Sequence, residues 1–354
     1  MVGNSGMKDF DVVIIGGGPA GCRTGEKIAK KGYEVLILEE HPKIGEPVQC
    51  TGLVSKKIGK IPKKLISNRI KRARFFCGKE YFEVESKEDM LVIDRKGYDA
   101  WLAERAEDAG CKIMTSSRFL DFKNSFVITN KSKFKTKLLI GADGPNSSVA
   151  KVNGIKLPEK ILLALQVKVE SSFDENTVEL HFGKGIAPGS FAWVVPEDEK
   201  TARVGLMCKK DPNEYLEKFL NLRFGEVEYY EKVGDIVRYG LIKESVSDKV
   251  LLVGDAASQV KPFSAGGLVY NKICAEIASK AVIKALKEEN FSKSFLIENY
   301  DKIWKKELSL SIREGMLMKT IFEKISDFPL TFKLIRELKL ENLARFLDVD
   351  FLLK

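Results

Sequence analysis

Gly16, Gly18 and Gly21 are spaced G-x-G-x-x-G, directly after the apolar run Asp11 to Ile15 and ahead of a helical stretch that reaches about Lys31. In such a turn the first glycine permits the tight bend. The second lets a phosphate approach the backbone, and the third lets helix pack on strand. A helix opening at Pro19 and Ala20 offers unpaired N–H groups and its positive dipole end to that phosphate. Glu34 to Leu38 reads as a second strand, and Glu39, followed by Glu40, closes it where a carboxylate accepts hydrogen bonds from ribose hydroxyls. Together these residues make a dinucleotide site.

A second acid narrows the choice of dinucleotide. Leu251 to Val253 is a buried apolar strand tipped by Gly254 and Asp255, with Ala256 and Ala257 after it. Pro262-Phe263-Ser264-Ala265-Gly266-Gly267 then precedes a helix. A carboxylate at Asp255 can accept hydrogen bonds from a ribityl chain. The N–H groups around Pro262, Gly266 and Gly267 can face the flavin N1/C2 oxygen edge, which becomes anionic on reduction. A nicotinamide needs no such distal element, so the expected cofactor is FAD.

The remaining composition leaves little else to do chemistry with. The six cysteines are scattered without a C-x-x-C pair, which argues against structural zinc and against a disulfide framework, and for a reducing cytoplasm. Two histidines, His41 and His181, cannot support a mechanism built on several, and no metal is expected. A net charge of +9 reads either as a solvated lysine-rich surface or as attraction to an anionic membrane or an acidic electron carrier. With no basic stripe interleaved with aromatics, nucleic acid is not an expected partner. No second G-x-G-x-x-G is present for a nicotinamide, so the electron donor stays open between a small ferredoxin-like protein and transiently docked NAD(P)H. No apolar run approaches the length needed to span a bilayer.

These residues need a scaffold, and the chain predicts an α/β fold. A Rossmann-type FAD-binding domain is expected over 7–155 and 240–290, with an antiparallel-sheet substrate domain inserted at 156–239 and a helical region over 291–354. Part of 50–90 is a further candidate for the substrate domain. Arg95 to Gly110 is helical, and Lys137 to Ile140 is a buried strand broken by Gly141-Ala142-Asp143-Gly144-Pro145. Leu163 to Val169, Thr177 to Phe182, Phe191 to Val195 and Ala202 to Met207 alternate as strands with one buried face. Gly267 to Leu286 is the helix after the second acid.

Three strings, Gly16 to Gly21, Gly141 to Gly144 and Gly254 to Ala257, resemble the fingerprints of the aromatic-hydroxylase-type flavoproteins. Arg95, in Asp94-Arg95-Lys96-Gly97-Tyr98-Asp99, is similar to their arginine near the flavin, and Asp143 and Gly144 fall in the second string. Within that superfamily the chain resembles the geranylgeranyl reductases from about Asp9 to Glu307. Gly45 to Gly52 is similar to their loop with a cysteine, here Cys50, close to the flavin. Pro188 to Pro196 is similar to their pocket motif P-x-x-Y-x-W-x-F-P. Tyr300 to Lys305 is similar to their tryptophan-bearing helix. The chain departs from the family at Phe191 (tyrosine there), at Val195 (phenylalanine) and at Ala265 (glycine), and its C-terminal helical region is shorter.

The resemblance implies FAD-dependent reduction of isolated C=C bonds in geranylgeranyl or other isoprenoid chains, with archaeal-type ether lipid precursors the expected substrates and a hydride passing from the reduced flavin N5. An isoprenoid offers few polar handles, so an apolar pocket is expected, with Phe191, Trp193 and Phe263 lining it. Cys50 is either the proton donor, a group that positions substrate, or a small inert residue. Two rivals stand beside this: an FAD-dependent aromatic monooxygenase, and a non-catalytic prenyl-binding protein. Leu330 to Lys354, with Leu334, Leu338 and Phe346 among basic residues, either rests on a membrane as a peripheral amphipathic helix or packs on its own domain.

Overall fold

Runs of β-branched and aliphatic residues buried on both faces build the first layer, and alternating runs build the second. The computed structural model describes residues 9–48, 50–325 and 329–338. Along the chain come β1 (Asp9–Ile15), α1 (Pro19–Ala29), β2 (Val35–Leu38), β3 (Leu53–Val54), β4 (Ile66–Cys77), β5 (Glu80–Ile93) and α2 (Arg95–Asp108). Next are β6 (Lys112–Met114), β7 (Phe119–Lys123), β8 (Phe126–Thr129), β9 (Lys133–Gly141), α3 (Ser148–Val152), β10 (Ile161–Glu170), β11 (Thr177–Phe182), β12 (Phe191–Pro196) and β13 (Thr201–Cys208). The chain continues through α4 (Pro212–Phe224), β14 (Tyr229–Arg238), β15 (Val246–Ser247), β16 (Val250–Leu252), α5 (Leu268–Glu288), α6 (Lys293–Leu296), α7 (Lys302–Ile325) and α8 (Pro329–Glu337).

The first sheet runs β15-β16-β9-β1-β2-β6, with the β7–β8 hairpin joined through β8 to β9. From β16 to β6 every pairing is parallel. Its register sets the site: Ile15 lies opposite both Leu38 and Gly141, and Gly141 opposite Leu252. The segments that follow β1, β2, β9 and β16 therefore leave the sheet side by side at its carboxyl edge, where open α/β sheets bind their ligands. Helix α1 starts with proline at its first position, and α5 packs alongside it.

The second sheet runs β14-β10-β13-β12-β11-β4-β5-β3. It is antiparallel, as its alternation predicts, except where β11 lies parallel to β4. Residues from 53 to 93 thus extend the sheet built by the 161–238 segment, through β3, β4 and β5. One face of this sheet gathers Phe75, Phe82, Phe182, Phe191, Trp193, Phe263, Phe322 and Phe332 into a single buried cluster. The last two come from α7 and α8, so the C-terminal helices close the aromatic face.

Candidate functional site

Steric contact at the carboxyl edge shows why glycine is required there. A Cβ on Gly16, whose φ is +106°, would stand 2.2 Å from the Ala142 carbonyl oxygen, and one on Gly21 would stand 2.0 Å from the Gly16 oxygen. Gly18 is different: a Cβ there meets nothing within 4 Å. That open ground beside the start of α1 is where a pyrophosphate can reach the backbone. Glu39 turns back to the glycine loop, its Oε2 accepting from the Gly17 N–H at 2.8 Å and its Oε1 from the His41 N–H at 2.9 Å. Glu40 is exposed. Of the two predicted acids, Glu39 is therefore the one aimed at the loop.

Gly144, with φ of +77°, sits in the turn after β9. Asp143 is occupied inside that turn, accepting from the Ser147 hydroxyl at 2.7 Å and the Val149 N–H at 3.1 Å, while burial pushes its carboxyl up. Gly254 has φ of +72°, and a Cβ on it would meet Ala20 at 2.7 Å, so the third glycine string packs directly on the start of α1. Asp255 beside it accepts from the Asn271 amide at 3.3 Å, and burial pushes its carboxyl up as well. A Cβ on Gly267 would stand 2.8 Å from Asp255 Oδ1, which brings the Pro262–Gly267 segment against that carboxylate. Gly266 lies next to Lys261 and Ser264, and Pro262 braces α7 at Gly315.

The Tyr300 to Lys305 string has a positional role. The Tyr300 hydroxyl donates to the Leu252 carbonyl at 2.6 Å and accepts from Gln259 Nε2 at 3.0 Å, and Gln259 Oε1 accepts the Gly254 N–H at 2.7 Å. Trp304 Nε1 donates to Ser245 Oγ at 2.9 Å, and Ser245 Oγ donates to Asp301 at 2.6 Å. This buried chain of bonds fixes the strand that carries Asp255.

Arg95 and Asp99, one turn apart on α2, form a bidentate pair with Nη2 at 2.9 Å from Oδ2 and 3.1 Å from Oδ1. Burial works against the Arg95 charge, but Asp99, and then Cys50 alongside it, hold the guanidinium charged. Burial pushes the Asp99 carboxyl up against the pull of Arg95. Cys50 thus sits beside the Arg95 guanidinium, half-buried, while Cys22, Cys77, Cys111, Cys208 and Cys274 are buried.

Sequence reading missed what holds that loop. Arg203, on β13 and 5% exposed, donates from Nη1 to the carbonyls of Thr51 at 2.6 Å and Ile93 at 3.1 Å. Its Nε donates to Glu197 at 2.7 Å. Thr51 Oγ1 donates to Gln166 Oε1 at 2.8 Å. The second sheet therefore clamps Thr51, next to Gly52, and Ile93 at the end of β5, whose N–H donates to the Gly52 carbonyl at 3.0 Å. No local motif marks Arg203; the only available signal was an arginine among otherwise apolar inward positions of a strand.

Of the expected pocket residues, Phe191 and Phe263 line a cavity of about 190 Å³, together with Phe182, Phe322 and Pro188–Ser190. Trp193 is in the same aromatic cluster but not on this wall; its indole packs over Gly205, with Nε1 buried and unpartnered. Phe263 follows Pro262 directly, so the apolar cavity abuts the loop expected at the flavin edge.

A glycine cradle with open ground at Gly18, an acid at Glu39 held against the glycine loop and a second acid at Asp255 fit FAD, the dinucleotide with two distant polar ends. The chain matches the FAD binding domain family over residues 9–270. The fold and the cradle define an FAD-binding flavoprotein. Digeranylgeranylglycerophospholipid reductase of Methanocaldococcus jannaschii is 32% identical, the match covering 90% of this chain and 88% of that protein. A second such reductase, from Methanothermobacter thermautotrophicus, is 30% identical with 97% and 95% covered. The crystal structure of a geranylgeranyl bacteriochlorophyll reductase-like protein from Thermoplasma acidophilum shares the fold, with a TM-score of 0.83 at 23% identity over 97% of this chain and 100% of that one. The chain belongs to the digeranylgeranylglycerophospholipid reductase family of flavoproteins, and its cofactor is FAD. No helix among the described residues is long and apolar enough to cross a membrane.

Proposed function

We propose that this protein reduces isolated C=C bonds in the geranylgeranyl chains of a glycerophospholipid, as the names of its relatives describe for them. The observation that carries the reading is the phenylalanine-lined cavity beside Phe263, against the loop that the FAD ring would meet. Bound FAD, reduced beforehand by an external donor, would supply the two electrons each bond takes up. Phe182, Phe191, Phe263 and Phe322 bind the prenyl chain and exclude water. Gly16, Gly18, Gly21, Glu39, Asp255 and Gly267 hold the cofactor, and Arg95 places positive charge beside Cys50. We assign the Cys50 thiol as the group that delivers a proton to the second alkene carbon or aligns that carbon to receive one.

An anaerobic titration tests the reading. The FAD-loaded protein is reduced with dithionite and a digeranylgeranyl glycerophospholipid is added. Reoxidation of the flavin, with product heavier by two hydrogens per bond, is expected. A flavin that stays reduced with the lipid yet reoxidises with oxygen and a phenol would replace the reading with an aromatic hydroxylase. Cys50→Ala is expected to cut turnover by about 10²- to 10⁴-fold with FAD retained; full activity would remove Cys50 from the chemistry.

The physiological donor is either an acidic ferredoxin-like protein, which the +9 charge would attract, or NAD(P)H. Stopped-flow reduction by each decides between them. Peripheral membrane contact has a candidate surface in Leu310 and Leu317 of α7 and Leu330 and Leu334 of α8, all exposed, near Lys306, Arg313 and Lys333. Phe332 of α8 is buried in the aromatic cluster, so α8 packs on its own domain as well. Residues 339–354 of the expected amphipathic segment, Phe346 included, lie outside the described residues. Leu317→Glu with Leu334→Glu is expected to reduce co-sedimentation with anionic liposomes.

A further inference from the structure

Positive charge collects where the second sheet meets α7. Lys319 is 5% exposed, and its Nζ donates to the Gly189 carbonyl at 2.8 Å. Glu323, one turn on, has Oε1 4.0 Å from it, and the other oxygen of that carboxylate pairs with Lys209 at 3.2 Å. One carboxylate thus answers two ammonium groups. Burial pulls Lys319 down to about 8, against Glu323 and with the help of Lys209. A second anion would relieve this surplus, because a desolvated charge is tolerated when it is paired.

The surrounding space has a matching shape. The cavity lined by Phe182, Phe191, Phe263 and Phe322 shares Lys209, Lys319 and Glu323 with a neighbouring cavity of about 310 Å³. That neighbour is walled also by Lys160, Tyr239 and Thr320. Ser190 Oγ, buried and without a partner, lies on the wall of the apolar one. An amphiphile with an apolar chain on one side of the shared wall and an anion at it satisfies both halves.

We infer that Lys209 and Lys319 bind the phosphate of the lipid substrate and give the site its preference for phosphate-bearing over neutral prenyl lipids. This rests on the proposed substrate class. Phosphate gains charge-assisted hydrogen bonds from both ammonium groups, and Ser190 is placed to add a third donor.

The test is binding rather than turnover. FAD-loaded full-length protein is titrated with saturated diphytanyl phosphatidylglycerol and, in parallel, with diphytanylglycerol, following tryptophan fluorescence in detergent. Neither lipid has a bond to reduce, and the phosphodiester keeps one charge across the pH range. The unsubstituted protein is expected to prefer the phospholipid by about tenfold or more, and Lys209→Gln to remove most of that preference. The Lys209 side chain is 55% exposed, so this variant keeps its fold where Lys319→Met tests the buried partner. Glu323→Gln should strengthen the preference. Lys319 faces Glu323, Lys209 and the Tyr239 ring at 5.3 Å, so phospholipid affinity should fall as pH rises through about 8 while neutral-lipid affinity holds. Equal loss for both lipids, or a preference untouched by Lys209→Gln, overturns the inference. Inorganic phosphate binding as tightly as the phospholipid also overturns it, since the site would then read free phosphate. A phosphate preference that survives in a protein whose reduced flavin ignores every unsaturated lipid would sink the reductase reading and leave this subsite standing.

Discussion

At the carboxyl edge of the first sheet, the groups proposed to hold the cofactor are mostly main-chain atoms and glycines; on the aromatic face of the second sheet, the groups proposed to hold the lipid are side-chain volumes and charges. The first kind of site is built from short consecutive strings, because a turn that must admit a phosphate fixes its own residue types within six positions. The second kind is assembled from residues far apart in the chain, such as Phe182, Phe263 and Phe322, each of which is an ordinary core residue locally. The two regions should therefore respond differently to substitution. Nucleotide-edge changes should fail through steric contact with backbone, and aromatic-face changes through lost packing or stranded charge.

The largest effect tests the first half of that contrast. Gly16→Val drives side-chain atoms into the Ala142 carbonyl, already 2.2 Å from an ideal Cβ. FAD affinity should fall by more than about 100-fold, read as a colourless purified protein and by titration of flavin fluorescence. Gly18→Ala separates folding from binding. Its Cβ meets nothing within 4 Å, so melting without FAD should be unchanged while FAD binding weakens. Intact FAD affinity in Gly18→Ala would mean that the pyrophosphate does not approach there.

The next largest sits at the junction between the regions. Arg203→Met removes the clamp on Thr51 and Ile93 and leaves the largely buried Glu197 carboxylate, among the described residues, with Lys168 at 3.3 Å as its remaining cation. Breaking a buried pair in this way costs about 3–5 kcal/mol, measurable by denaturant unfolding. If the second sheet holds the Cys50 loop, Arg203→Met should also cut turnover beyond what Glu197→Gln does, with FAD still bound. Equal turnover in the two variants would reduce Arg203 to a purely structural role.

Much of the first sheet was legible because its signals are local: G-x-G-x-x-G between strand and helix, Glu39 at a strand end, Gly254-Asp255 at another. The Arg203 clamp was not, since it joins residues 152 positions apart and an arginine on a strand carries no mark of its partner. The parallel pairing of β4 with β11 was likewise hidden, because alternation reports which face is buried and not which neighbour a strand takes. Trp193 shows the same limit from the other side. Its motif gave the right cluster, but only the space over Gly205 decides which way the indole lies. Tyr300 belongs with the nucleotide edge although it lies on the C-terminal helical region. Tyr300→Phe strands the Leu252 carbonyl and Gln259 Nε2, and should cost about 1–3 kcal/mol and loosen FAD slightly.

Ala265 offers the smallest effect and the sharpest probe of where the two regions meet. It stands at φ of +58°, a conformation that L side chains rarely adopt, in the loop between buried Phe263 and the glycines before α5. Its N–H donates to the Lys261 carbonyl at 2.9 Å and the Gly266 carbonyl accepts from Lys261 at 3.2 Å, so the turn is held closed from both sides. The left-handed conformation costs alanine about 1–2 kcal/mol, and glycine gives back part of that through its greater freedom when unfolded. Ala265→Gly should thus stabilise the fold by up to about 1 kcal/mol, seen as a small rise in unfolding midpoint. The same change loosens a loop proposed to meet the cofactor on one side and carrying Phe263 of the aromatic cavity on the other. If alanine is kept there to stiffen the cavity wall, the variant should be more stable yet bind prenyl lipid more weakly, with FAD affinity unchanged. A variant that gains stability and loses nothing would show that Ala265 is tolerated strain rather than a contribution to the pocket.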